Sequence, residues 1–185
     1  RNFLKQRIGK YVFALIGLIL LLSLSTIRPV FIVLFGEEIY LEAIGYDPHD
    51  PFRGEYVQIG YVDEIIPFDY LDDEINLENV YEELDGETLY ISFVKSGEYH
   101  RVREVSLIKP AGLYIKASFE YLHWEYDEEL GEGSEVGIVV SYSLDRFYVP
   151  EGTGISLEDA IREGNAYSVI KLYKGNGVLT DLRLK

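Results

Sequence analysis

The chain of 185 residues contains no cysteine and no methionine, and only one tryptophan and three histidines. Without cysteine there is no disulfide framework, no thiolate metal site and no thiol nucleophile. An exported domain of this size can hold itself together by packing instead. Methionine is missing even at position 1, so a trimmed N-terminus is expected and whether residues precede Arg1 is left open. Positive charge is scarce as well: 17 Lys and Arg stand against 32 Asp and Glu, for a net charge of −15. Arg1, Lys5, Arg7 and Lys10 contribute +4 within the first ten residues, leaving −19 for residues 11–185. A domain that acidic does not hold DNA, RNA or anionic lipid through its general field, because phosphate binding needs positive charge. Its field favours cationic partners or divalent ions, and it also serves solubility alone.

What is present is informative first at the N-terminus. Behind the basic flank, residues 1–10, the run from Tyr11 to Ile27 carries no charge. Arg28 and Pro29 interrupt it, and a second apolar piece, Val30 to Gly36, precedes Glu37 and Glu38. A helical bilayer crossing needs about 20 apolar residues. Residues 11–36 are therefore expected to anchor the chain in a lipid bilayer, with Arg28 snorkelling to the headgroups. Whether the helix ends at Arg28-Pro29 or passes through it is left open. Basic residues before the span and acids after it place the N-terminus in the cytoplasm and residues 37–185 outside. A cleaved signal peptide is the rival, but the apolar run is long for one and Ser23-Leu24-Ser25 is a poor cleavage site.

Beyond the anchor, period-two alternation dominates. Strands are expected around Ile39–Ala43, Val57–Tyr61, Leu89–Phe93, Tyr99–Ile108, Leu113–Trp124, Val136–Leu144, Ala166–Tyr173 and Val178–Leu184. Turns are expected at Ser96-Gly97 and at Gly175-Asn176-Gly177. Two short helices fit, Leu77–Leu84 in an acidic stretch and Leu157–Glu163 with Ser156 as its N-cap. The expected architecture is mainly β: an antiparallel β-sandwich or barrel-like extracytoplasmic domain with one or two short helices, behind a single N-terminal transmembrane helix.

Two segments stand out chemically. Asp47-Pro48-His49-Asp50-Pro51-Phe52-Arg53-Gly54-Glu55-Tyr56 combines two prolines and a glycine in a rigid turn. Asp47, His49 and Asp50 offer one imidazole and two carboxylates, but metal-site spacing is not met and no metal or cofactor is expected. Arg53 presents five donors to Asp47, Asp50 and Glu55, so a charged pair is expected to lock this turn onto the first strand. The second segment is Phe147-Tyr148-Val149-Pro150-Glu151-Gly152-Thr153-Gly154, followed by Leu157-Glu158. Pro150 suits a strand end, and Gly152 and Gly154 suit tight backbone geometry.

Arg53-Gly54-Glu55-Tyr56-Val57-Gln58-Ile59-Gly60-Tyr61 resembles the signature of the GDYXXLXY family, bacterial membrane-anchored proteins. Gly54, Tyr56 and Tyr61 are identical to it, with Glu55 for Asp and Ile59 for Leu. Asp47-Pro48-His49-Asp50 resembles the DPxD that leads the motif, and Tyr148, Pro150, Glu151, Gly152 and Gly154 resemble the family's second block. The resemblance covers roughly Ile39 to Leu184. It implies no catalytic residues, since the family has no assigned activity. It implies an envelope partner, since members are often encoded beside multi-spanning membrane proteins.

Enzyme templates fit less well. Type I signal peptidases share an anchor and a β-rich exported domain, yet Asp47 to Phe52 contains no serine nucleophile. None of His49, His100 or His123 stands beside a nucleophile-elbow pattern. The expected function is a non-catalytic, tyrosine-rich interaction subunit of a membrane assembly, its partner an integral membrane protein or another subunit. The alternative is a membrane-anchored hydrolase using carboxylates, with or without a metal.

Overall fold

A computed structural model describes residues 2–45, 56–127, 132–149 and 154–185. Helix α1 (Asn2–Phe35) contains an apolar stretch, Lys10–Phe35, long enough to cross a bilayer. It runs straight through Pro29. Proline there removes one intrahelical hydrogen bond and crowds the Ser25 carbonyl one turn back. Two contacts hold the turns on either side of it. Arg28 donates to the Asn176 side chain, and Ile32 is buried at 4% exposure. Gly36 closes the helix by donating to the Ile32 carbonyl at 2.7 Å, and β1 (Glu37–Gly45) begins at the next residue.

The remaining strands are β2 (Tyr56–Tyr61), β3 (Ile65–Pro67), β4 (Thr88–Ser96), β5 (Tyr99–Ser106), β6 (Tyr114–Asp127), β7 (Glu132–Ser141), β8 (Arg146–Tyr148), β9 (Ala166–Tyr173) and β10 (Asn176–Leu184). They form two five-stranded antiparallel sheets, ordered β10-β9-β1-β2-β8 and β3-β7-β6-β4-β5. The strand that follows α1 is thus the middle strand of its sheet. Alternate residues of both sheets meet in one core: Ile39, Leu41, Val57, Ile59 and Ile170 from the first, Leu89, Ile91, Ile115, Ile138 and Val140 from the second. This is the expected mainly β architecture. The sheets are also tied edgewise, because the Tyr40 N–H, on the side of β1 that β2 does not reach, donates to His100 Nδ1 of β5 at 3.1 Å. Burial lowers the His100 pKa, consistent with the neutral ring that this acceptor role requires.

All eight expected strands are present, and two more lie between them. β3 and β8 are only three residues long, too short for alternation to register. The acidic stretch carries a 3-10 turn at Leu77–Asn79 and helix α2 (Val80–Leu84), which sends Val80 and Leu84 into the core. Helix α3 (Gly154–Arg162) begins two residues before Ser156, so Ser156 lies inside the helix and is not its N-cap. The last turn is also displaced by one residue. Tyr173 pairs with Asn176, so Lys174 and Gly175 form the turn, with φ of 51° and 77°. Positive φ at both central positions suits the twist of a tight hairpin, which outweighs the preference for glycine at Lys174. Gly175 lies against Tyr114, and a Cβ there would sit 2.3 Å from the ring.

Candidate functional site

The two motif segments meet in space. β2 and β8 are neighbours, and Tyr56 is registered opposite Tyr148. Their rings lie 6.2 Å apart, with the Arg146 guanidinium 5.9 Å from the Tyr56 ring centre. Tyr148 is 70% exposed. Gly154 opens α3. Asp47, Asp50, Arg53, Gly54 and Glu55 of the first segment lie outside the described residues, as do Pro150, Glu151 and Gly152 of the second. The expected Arg53 lock falls there too.

The other end of β2 points inward. Alternation turns Val57, Ile59 and Tyr61 toward the core, and Tyr61 is fully buried. Its hydroxyl donates to the Leu144 carbonyl at 2.7 Å. Its ring packs 5.7 Å from that of Tyr142, which in turn meets Phe93 edge-on at 6.2 Å. The Tyr142 hydroxyl donates to the Asp63 carbonyl. Glu64 completes the arrangement: Oε2 accepts the Tyr61 N–H at 3.0 Å and Oε1 the Tyr142 N–H at 3.1 Å. Burial raises both tyrosine pKa values far from neutrality, so the phenols stay protonated donors.

Asp63 and Glu64 are the carboxylates a hydrolase would call upon, and burial pushes both above the ordinary range. Their oxygens are already engaged. Glu64 bonds two backbone N–H groups, and Asp63 pairs with Arg101 at 3.1 Å while Val102 N–H approaches at 3.4 Å. Arg101 also bonds Glu42, which Lys185 reaches in turn. That chain of charges links β1, β5, β10 and the turn after β2. No local pattern in the sequence announces that chain, whereas Glu64, three residues beyond Tyr61, carries the spacing of a capping box. Among the described residues, no group of three or more His, Asp or Glu is placed to hold a metal.

A further exposed surface lies elsewhere. β6 and β7 pair with each other to Asp127↔Glu132, but β4 accompanies β6 only through Ser118, and β3 accompanies β7 only at Gly137–Val139. Among the described residues, 123–127 and 132–136 therefore form a two-stranded ribbon with no strand paired to either outer edge. Tyr121 is exposed at its base, and Trp124 and Tyr126 on the ribbon are 60% and 69% exposed. From Ala117 to Asp145 there is no Lys or Arg. His123 sits at the ribbon base with Nε2 3.9 Å from Glu125, consistent with a rim position.

A two-sheet antiparallel domain fused without a linker to a long apolar helix defines the class. A family model described as GDYXXLXY protein matches residues 18–182, and the chain belongs to that family. No curated protein and no solved structure matches it.

Proposed function

We propose that this chain is a single-pass envelope protein whose domain recruits another membrane protein without performing catalysis. The basic flank before α1 and the acids after it favour a cytoplasmic N-terminus and an extracytoplasmic domain. The observation that carries the role is the β6–β7 ribbon, with exposed Trp124 and Tyr126 beside two edges that no described residue pairs with. Tyrosine and tryptophan bury large areas while keeping a polar tip, which suits recognition surfaces. An unpaired edge accepts a further strand from a partner through backbone hydrogen bonds. With Glu120, Glu125 and Glu135 and no basic residue along it, the ribbon fits a basic extracytoplasmic segment of an integral membrane protein or another assembly subunit.

Gentle detergent extraction, affinity purification and mass spectrometry should recover a membrane protein with the wild-type chain. Trp124→Ala with Tyr126→Ala should lose that protein while melting like wild type. Recovery of the wild-type chain alone, as a monomer, would overturn the proposal. Protease treatment of intact spheroplasts should remove the domain, and its full protection would reverse the topology.

A further inference from the structure

The base of the domain is chemically unlike the rest of it. Residues 105–119 and 164–180 contain no Asp or Glu in a chain with 32 such residues. These two stretches converge beside the end of α1. Lys116 N–H donates to the Gly175 carbonyl at 2.9 Å, Ile115 bridges to Gly175, and Gly175 lies under the Tyr114 ring. The helix joins them through Arg28 on Asn176 and through buried Ile32. A cleft of about 420 Å³ opens at the junction, where Phe35, Lys109, Tyr114, Tyr173 and Lys174 face one acid, Glu37. Lys109 lies 5.8 Å from the Tyr114 ring centre and Lys174 lies 5.3 Å from that of Tyr173. Ile108, beside Lys109, is 64% exposed.

Helix length fixes the level of this face. The 26 residues Lys10–Phe35 span about 39 Å at 1.5 Å per residue, against about 30 Å of hydrocarbon. With Lys10 at the inner boundary, the hydrocarbon ends near Val30. Phe31 to Phe35 then occupy the outer interface, and the Arg28 side chain extends up to it. Arg28 bonds Asn176, the residue that follows the Lys174-Gly175 turn, which brings that turn to the same layer. Phe31, Val33, Leu34 and Phe35 stay exposed on the helix, as residues facing lipid would.

Resting on the reading of α1 as a membrane span, we infer that the domain is seated in the outer headgroup layer, with the Ile108 loop immersed and Lys109 and Lys174 flanking a cleft for anionic lipid phosphate. The domain's net negative charge would repel such a surface, so the acid-poor face sets which way it turns. The seat fixes the orientation and height of the rest of the domain over the bilayer.

The cysteine-free chain allows single-site labelling. The full-length protein carrying Ile108→Cys or, separately, Leu18→Cys would be labelled with a polarity-sensitive fluorophore. Each would be reconstituted in phosphatidylcholine vesicles with and without phosphatidylglycerol. The expected result is blue-shifted emission, quenched by brominated lipid, at both sites. The Ile108 signal should grow with phosphatidylglycerol, and Lys109→Glu with Lys174→Glu should remove that growth. A Leu18 probe in lipid with an Ile108 probe in water would overturn the seat and leave the anchor intact. An Ile108 signal indifferent to lipid charge and to the lysine substitutions would overturn the headgroup cleft. A Leu18 probe in water would overturn the anchor itself, and the seat with it.

Discussion

Tyr61 and Tyr142 each donate a phenolic hydrogen to the backbone carbonyl two residues beyond the other, Leu144 and Asp63 respectively. Glu64 accepts the backbone N–H of both. The last tyrosine of the family motif is therefore half of a clasp between the two sheets. Tyr61 belongs to β2 of the first sheet, and Tyr142 directly follows β7 of the second.

Removing either hydroxyl leaves a buried carbonyl without its donor. Tyr61→Phe and Tyr142→Phe should each cost about 1–3 kcal/mol in denaturant unfolding of the detergent-solubilised chain. The double substitution should cost less than the sum, because both rings and Glu64 share one network. Two strictly additive losses would show that the tyrosines act independently.

Burial raises the Glu64 pKa above its ordinary 4.5, and the folded chain holds a proton that the unfolded chain has released between those two values. The contribution of Glu64 to stability is therefore greatest below 4.5 and falls as pH rises through the raised folded value. Glu42 runs oppositely. Hydrogen bonds from Lys185 and Arg101 lower its pKa, so its contribution is present above the ordinary value and is lost as pH falls through the lowered one. Comparison with Glu64→Gln isolates the first effect. The stability advantage of wild type over that variant should shrink as pH rises from about 4 toward neutrality. A constant difference across that range would contradict the raised value.

Arg101 holds Asp63 and Glu42 at once, and Asp63 is almost fully buried. Arg101→Ala strands the buried carboxylate at a cost of about 2 kcal/mol, reduced from that of a fully buried pair because Arg101 is partly exposed. Asp63→Asn in the same chain should recover part of that loss in thermal melts. If the second substitution deepened the loss, the role of Arg101 would lie with Glu42 instead.

Much of the fold was legible because long strands with one buried face write their period into the chain. Ile39, Leu41 and Ala43 along β1 are an example, buried in alternation with partly exposed neighbours. β3 and β8 were not legible, since three residues show no period, and β8 exists only through its pairing with Tyr56–Gln58. The same limit applied to the site. Tyr56 and Tyr148 stand in separate segments, and only the β2–β8 pairing makes them one surface. Asp63, Arg101 and Tyr142 carry no local signal, because their partners lie far away in sequence. The ribbon was hidden differently. Trp124 and Tyr126 alternate as core residues would, and only the early end of β4 leaves their stretch uncovered.

The base of that ribbon is pinned by close backbone approach at Gly137. A Cβ there would lie 2.4 Å from the Ile66 carbonyl oxygen, which is ladder backbone and cannot swing aside. Gly137→Ala must push β3 off β7 and is expected to cost about 1–3 kcal/mol as an overpacked site. β3 is the element that ends the free stretch of β7, and a bulge between His123 and Trp124 re-aims the ribbon at the same level. Loosening that base should therefore blur the direction of Trp124 and Tyr126 without altering either side chain. Partner recovery in detergent should fall for Gly137→Ala at temperatures where the chain remains folded. Recovery equal to wild type from a measurably destabilised variant would show that the partner does not depend on how the ribbon is held.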